Sequence, residues 1–127
     1  MDKPEAPYEL TFEERNGYLL ANVKAEDLEY DPAQDCLLEI AREIERLKQT
    51  RLMVKRDIPS VMPRGQLFFT SASMAESFKQ VKIAIVNPYP DLDESLNFAA
   101  LTANNRGANF KVFTDIETAE VWLLKDQ

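Results

Sequence analysis

The sequence contains no histidine, one cysteine and only three glycines among its 127 residues. Without histidine the chain lacks the most common general base and metal ligand of proteins. Cys36 alone cannot form an internal disulfide, and its place beside the apolar side of a predicted helix makes it a buried apolar residue. The glycines, at positions 17, 65 and 107, are too scattered to build a phosphate-binding loop. We therefore predict no cofactor, no metal and no enzymatic activity.

Long apolar segments are also missing. No run approaches the ~20 residues that a membrane-spanning helix requires, and the opening residues MDKPEAPYEL lack the apolar stretch of a secretory signal. We expect a cytoplasmic protein that does not insert into a membrane. The 45% hydrophobic and 29% charged residues that are present suit a globular chain. Its length suits a single domain over residues 1–127.

Charge is unevenly distributed along the chain, whose net charge is −7. Residues 1–50 carry thirteen acidic and six basic side chains, residues 51–90 carry two and six, and residues 91–127 carry seven and three. The overall acidity disfavours nucleic acid as a partner. If the fold brings the cations of the basic middle segment together, they can bind an anion or an acidic partner. If it does not, they are ordinary solvated surface charges. Those cations are Arg51, Lys55, Arg56 and Arg64.

The first part of the chain predicts a hairpin and then a long helix. Residues 8–12 and 18–23 are rich in strand-forming side chains, and the Asn16-Gly17 pair between them favours a type I′ turn. Asp31 before Pro32 predicts a helix start, with the aspartate as cap and the proline in the first helical position. Apolar residues at spacings of four and three then place one side of this helix against a sheet. They are Ala33, Leu37, Ile40, Ile44 and Leu47.

The middle of the chain predicts a strand, a loop and a short helix. Residues 51–58 form the strand, and the chain breakers between Ser60 and Gly65 predict the loop. Ser73 and Glu76 have the spacing of a capping box, which predicts a short helix that starts there and ends near residue 80.

The apolar run at residues 81–86 predicts a central strand, covered on both faces and not at a sheet edge. Asp91 or Asp93 can cap the next helix, and carboxylates at a helix start require no metal ion. Gly107 can end that helix in the left-handed conformation.

The end of the chain predicts one more strand, residues 110–113, and a last helix. Thr114 and Glu117 form a capping box for this helix, whose apolar side carries Trp122 and Leu123. The element order ββαβαβαβα predicts a single, three-layer-like α/β domain with a mostly parallel sheet of about five strands. An N-terminal β-hairpin and about four helices complete the expected architecture.

Motifs in the second half of the chain resemble the STAS-like proteins, a superfamily that includes bacterial anti-sigma factor antagonists and the cytoplasmic domains of sulfate transporters. They are Lys82-Ile83-Ala84-Ile85-Val86-Asn87-Pro88, Phe98-Ala99, Asn105-Arg106-Gly107, Thr114-Asp115 and Trp122-Leu123. The resemblance implies the same order of elements over nearly the whole chain.

The resemblance also implies a place for the partner-binding surface. In the antagonists, the loop after the third strand delivers a serine to the next helix, where a partner kinase phosphorylates it, and the added charge switches the partner surface. Here Pro63-Arg64-Gly65 stands where the family has an acidic residue and two serines. The family phosphoacceptor is therefore missing from this sequence.

Three functional classes remain open on these grounds. The first is a non-enzymatic regulatory or protein-interaction module of the STAS-like type. Such a module can also form homo-oligomers. The second is a binder of a small apolar, lipid-like ligand, suggested by the apolar residues 67–69. The third is an enzyme of unrecognised class, for which no constellation is evident. We predict that a protein partner, or a small anionic or apolar ligand, contacts Arg56, Ser60, Arg64 and Phe68.

Overall fold

The computed structural model describes residues 7–125 and has the predicted α/β class and element order. The strands are β1 (Glu9–Arg15), β2 (Tyr18–Lys24), β3 (Arg51–Asp57), β4 (Lys82–Val86) and β5 (Asn109–Phe113). The helices are α1 (Tyr30–Leu47), α2 (Arg64–Ser77), α3 (Asp93–Asn104) and α4 (Ile116–Leu123), with a 3₁₀ turn at Pro90–Leu92 before α3.

The five strands form one mixed sheet in the order β1-β2-β3-β4-β5. β1 and β2 form the predicted antiparallel hairpin, while every other pair is parallel. Arg15 pairs with Tyr18 across the turn, in which Gly17 has a φ of 97° and Asn16 does not have a positive φ. A type I′ turn requires positive φ at both positions, so the predicted turn type is wrong although the hairpin is correct.

Each strand lies beside its neighbour in sequence, so β3 is the middle strand and β2 and β4 are also interior. The strand predicted at the centre, β4, lies between β3 and β5. Ile83 and Ala84 of β4 are both fully buried, as the apolar run indicated. The strand is therefore interior and covered on both faces, as predicted, while β3 is the middle strand of the five.

Helices cover the sheet on both sides, which gives three layers. α1, α2 and α3 pack on one side and α4 packs on the other. Alternation along β3 shows the arrangement, because Leu52 belongs to the core under α1–α3 and Met53 to the core under α4. Within residues 7–125, no helix is both long and apolar enough to cross a membrane.

Helix α2 begins nine residues before the predicted start. It runs from Arg64, directly after Pro63, and Ser73 lies in its interior. The capping-box interpretation of Ser73 and Glu76 is therefore wrong. Pro63 precedes the helix without a side-chain cap, whereas the hydroxyl residues inside α2 suggested a helix start that the structure does not have.

The other helix starts also differ by one or two residues from the prediction. α1 follows Glu29, which places Asp31 in its first turn rather than at its cap. α3 starts at Asp93 without a side-chain cap. The cap of α4 is Asp115 rather than Thr114, because the Asp115 Oδ1 accepts the Thr118 amide at 2.8 Å. Gly107, with a φ of 95°, closes the end of α3 as predicted.

Candidate functional site

The first candidate residue, Arg56, lies at the carboxyl end of β3 and is half-buried. It is two positions after Val54, so both side chains point toward the α1–α3 side of the sheet. Its Nη1 donates to the Ile58 carbonyl oxygen at 2.9 Å and its Nη2 to the Ser60 carbonyl oxygen at 2.6 Å. Burial lowers the pKa of Arg56, because desolvation disfavours the charged guanidinium. This arginine holds the loop between β3 and α2.

Ser60 lies in that same loop and connects it to a second one. Its Oγ donates to Asp27 Oδ1 at 3.1 Å, and Asp27 belongs to the loop between β2 and α1. Because the carbonyl of Ser60 accepts Arg56 and its hydroxyl binds Asp27, both polar groups of this residue have partners. Ser60 therefore ties two loops together at the carboxyl edge of the sheet.

A third loop, between β4 and α3, is connected to the same edge. The Tyr89 hydroxyl donates to Asp57 Oδ1 at 2.6 Å, which raises the pKa of Tyr89 because the carboxylate favours the protonated phenol. Asn87 is buried and donates through Nδ2 to the Tyr89 carbonyl oxygen at 2.8 Å and to Asp93 Oδ1 at 3.0 Å. Asp93, predicted as a cap, thus orients Asn87 instead. The carboxyl edge is held by side-chain hydrogen bonds within and between its loops.

Arg64 and Phe68 lie one helical turn apart on α2, away from this edge network. The Arg64 guanidinium carbon lies 4.2 Å from the ring centroid of Phe98 on α3. In the reverse arrangement, the guanidinium carbon of Arg106, just after α3, lies 4.9 Å from the ring centroid of Phe68. Two cation–π contacts therefore join the helices, each contributing about 0.5–1 kcal/mol at an exposed site.

Exposed apolar side chains adjoin these two contacts. Phe69 is 63% exposed, and its ring lies edge-on to that of Phe68 with the centroids 5.6 Å apart. Leu101 is 59% exposed and lies one turn after Phe98 on the same side of α3. We call this surface the α2–α3 face. It consists of Arg64, Phe68, Phe69, Phe98, Leu101 and Arg106.

The four residues predicted to contact a partner thus fall into two groups. Arg64 and Phe68 belong to the α2–α3 face, whereas Arg56 and Ser60 are occupied in holding the carboxyl-edge loops. The fold does not gather the basic quartet either, because Arg51 lies at the opposite end of β3 and donates through Nε to the Leu123 carbonyl oxygen at 3.0 Å. The basic middle segment therefore does not form one surface.

An apolar cavity of about 120 Å³ lies between the sheet and helices α1–α3. Its walls come from β2, β3 and β4 on one side and from the three helices on the other. The lining is almost entirely aliphatic or sulfur-containing, and the side chain of Arg56 is its charged member. We call this space the inner cavity.

Cys36 lines the inner cavity and is 2% exposed, which confirms its prediction as a buried apolar residue. Burial raises the pKa of its thiol to about 12, so the thiolate form is strongly disfavoured. Within residues 7–125, no three acidic or cysteine side chains are grouped closely enough to hold a metal ion.

Sequence reasoning missed the α3 half of the α2–α3 face and the inner cavity. Phe98 and Arg106 were noted only as parts of a family motif, although Phe98 and Leu101 are apolar residues three positions apart, which places them on the same side of a helix. The cavity left no comparable pattern, because it results from small side chains on three separate helices meeting across the sheet.

Comparison with known proteins extends only to the fold. The sequence matches no protein-family model, and no curated protein matches it at a significant level. Among solved structures, the chain is similar to the NMR structure of the protein TM1081, with a TM-score of 0.53 and 14% sequence identity. The match covers 100% of this chain and 93% of that chain. At an identity this low, the structural similarity shows a shared fold and nothing about function.

Proposed function

We propose that this chain is a cytoplasmic, non-enzymatic regulatory or protein-interaction module of the STAS-like type, and that it binds its protein partner through the α2–α3 face. The observation that carries the proposal is the composition of that surface. It combines exposed Phe69 and Leu101 with two arginines already oriented by aromatic rings. Aromatic and arginine side chains supply most of the binding energy at protein interfaces.

The arginines of this face are well prepared for binding. A long flexible side chain loses conformational entropy when a partner immobilises it, which costs roughly 0.5–1.5 kcal/mol for each such side chain. Arg64 is already stacked on Phe98, and Arg106 on Phe68. These two side chains have therefore already lost part of their conformational entropy before a partner binds.

The position of the face agrees with the resemblance to STAS-like antagonists. In that family the partner meets the loop after the third strand and the helix that follows it. Here the corresponding helix is α2, and Pro63-Arg64-Gly65 lies at its start. With arginine in place of the family serines, this surface carries a permanent positive charge, whereas the family surface gains negative charge by phosphorylation.

The same charge indicates the chemistry of the partner. Apolar side chains flanked by Arg64 and Arg106 are complementary to an apolar protein surface bordered by carboxylates. The rest of this chain is acidic, with a net charge of −7. Long-range repulsion therefore disfavours an acidic partner at other surfaces, and the local positive charge guides it to this face.

The test compares three immobilised proteins: the wild type, the double variant Phe69→Ser with Leu101→Ser, and the control Val121→Ser. Val121 is 73% exposed on α4, on the opposite side of the sheet, so the control removes a similar apolar side chain from a different surface. Each captures proteins from an extract of the source cells, and bound proteins are quantified by mass spectrometry. The best candidate is then purified and titrated against all three.

We expect at least one protein that the wild type and the Val121→Ser control retain equally and that the double variant loses more than tenfold. Its affinity for the purified wild type should fall with rising salt, because Arg64 and Arg106 contribute charge at the rim. Equal retention by all three proteins would place the binding surface elsewhere. Sedimentation that shows wild-type dimers abolished by the double variant would identify a second copy as the occupant and contradict the proposal.

A further inference from the structure

The inner cavity is separate from the α2–α3 face and lies on the sheet side of the same helices. Its lining includes Val54 and Ile85 on the sheet, Ile40 on α1, Leu67 and Met74 on α2, and Ala99 on α3. Apolar side chains from the sheet and from all three helices therefore line the space. Its volume of about 120 Å³ is several times what one water molecule requires.

The polar groups at the cavity wall already have partners within the protein. Thr70 Oγ1 accepts from Gln34 Nε2 at 3.3 Å, and Ser71 Oγ donates to the Leu67 carbonyl oxygen at 2.7 Å. Arg56 is bound to the loop carbonyls. Among the described residues, no buried side-chain nitrogen or oxygen lacks a hydrogen-bond partner. Since nothing in the wall needs a water molecule, the space suits an apolar occupant.

The cavity also has a route to the surface. Leu28 and Met62 line both the inner cavity and a second space, the outer cleft of about 530 Å³ between the β2–α1 and β3–α2 loops. The two spaces therefore adjoin at these side chains. Methionine is unbranched and flexible, so Met62 can change rotamer to admit a small molecule at modest cost.

The outer cleft selects against anions. Its lining includes Asp27, Glu29 and Asp31 and contains no lysine or arginine. A carboxylate that entered here would meet three acidic side chains, whereas an uncharged molecule would not be repelled. The one cation of the inner cavity, Arg56, already donates to two carbonyl oxygens, so it is poorly placed to recruit an anion.

We propose that the inner cavity is a binding site for a small, uncharged apolar molecule of about six carbon atoms, an aromatic ring or a short alkyl chain, which enters between Leu28 and Met62. The size follows from the volume, because a dry, apolar cavity of about 150 Å³ binds benzene. The site is distinct from the α2–α3 face, although helices α2 and α3 contribute residues to both.

The first experiment uses the methionines as reporters. The wild-type protein is labelled with ¹³C in the methionine methyl groups and titrated with benzene. Met62 and Met74 line the cavity, while Met53 is fully buried on the α4 side of the sheet and serves as an internal control. We expect saturable shifts of the first two signals and none of the third. Absence of shifts at saturating benzene would overturn the proposal, and so would equal shifts of Met53.

The second experiment fills the cavity. Ala99→Leu adds three carbon atoms at a lining position, and Ser73→Leu places the same side chain at an exposed position of α2 as the matched control. Benzene should raise the melting temperature of the wild type and of Ser73→Leu by several degrees at 100 times its dissociation constant, and of Ala99→Leu by less than one degree. An undiminished rise in Ala99→Leu would refute the location of the site. If Ala99→Leu does not fold, the methionine titration decides the question alone.

Charge selectivity is tested with hexanol and hexanoate, which have chains of equal length. We expect hexanol to shift the Met62 signal at concentrations at least tenfold lower than hexanoate. Hexanoate binding as tightly as hexanol would contradict the assignment of an uncharged ligand.

Discussion

The two sides of the sheet differ in how completely they are filled. Under α4, Tyr18, Met53 and Leu123 are at most 1% exposed, and they interlock with small alanines. Under α1–α3, a larger core surrounds a cavity of about 120 Å³. Protein interiors are normally close-packed, and a space of this size forfeits dispersion contacts along its walls.

The side chains that face each other explain the difference. On the α4 side, large residues meet Ala84 and Ala119, so bulk on one element fills the room left by the other. On the other side, helices contribute small residues toward the same space, among them Ala33, Cys36 and Ala99. The single-helix side therefore serves mainly stability, while the three-helix side gives up some packing and retains room for a ligand.

Removing α4 should produce the largest effect. Ending the chain before Thr114 exposes the apolar surface under Leu123 and Trp122 and removes the carbonyl that Lys82 Nζ binds at 2.6 Å. Since each large buried side chain contributes roughly 1.5–3 kcal/mol, the loss amounts to several kcal/mol. Thermal unfolding followed by circular dichroism measures it. A truncated chain that melts at the wild-type temperature would show that α4 is not docked.

A matched pair of leucine truncations compares the two sides directly. Leu123→Ala, on the closely packed side, should cost about 4 kcal/mol, and Leu67→Ala, at the cavity wall, about 2.5 kcal/mol. Leu67 already faces empty space and therefore loses fewer contacts. Urea denaturation of both variants gives the two free energies of unfolding. Equal costs, or the reverse order, would mean that the cavity side is as well packed as the other.

Two arginines on the three-helix side should differ in a similar way. Arg56→Gln leaves the carbonyls of Ile58 and Ser60 without their charged donor and should cost about 2 kcal/mol. Arg64→Gln removes only an exposed cation–π contact and should cost about 0.5 kcal/mol. The charge reversal Arg56→Glu is therefore expected to impair folding. Urea denaturation measures these free energies of unfolding. An Arg56→Gln variant as stable as the wild type would show that the loop between β3 and α2 does not depend on the Arg56 hydrogen bonds.

The order of elements was predictable because local patterns decide it. The alternating runs of the hairpin, the apolar spacing of α1 and the continuous run of β4 each reflect burial of one strand or one helix side. The start of α2 was missed because hydroxyl residues near Ser73 imitate a cap that the helix does not use. Local chemistry does not specify the full spatial order, so the apolar run predicted that β4 is interior but not that β3 is the middle strand.

The candidate site was predicted less completely because it depends on distant segments. Arg64 and Phe68 were selected from their position after the third strand, but their partners Phe98, on α3, and Arg106, just after it, come 34 and 38 residues later. Arg56 was selected for its charge, and only the fold reveals that its guanidinium is used by neighbouring carbonyls. A cavity is harder still to predict from sequence, because it depends on how well the side chains of separate elements fill the space between them.

The smallest effect concerns a hydrogen bond on the closely packed side, from the Tyr18 hydroxyl to Glu120 Oε2 at 2.7 Å. Burial, and then this hydrogen bond, raise the pKa of Tyr18 to about 12 from its usual value near 10. Tyrosine is charged when deprotonated, so a raised pKa in the folded state means that the protonated form stabilises the fold. Its contribution is complete below pH 10 and is lost as the pH rises toward 12, because only the unfolded chain then releases the proton.

Tyr18→Phe removes this hydroxyl with little change in shape and should cost about 1 kcal/mol at pH 8. Urea denaturation at intervals from pH 8 to pH 11.5 should show wild-type stability falling toward that of the variant above pH 10. The pKa values of Tyr8 and Cys36 are also raised, and both groups are present in both proteins, so the difference between the two curves isolates Tyr18. A gap that stays constant across this range would mean that the Tyr18 hydroxyl does not titrate differently in the folded and unfolded chains.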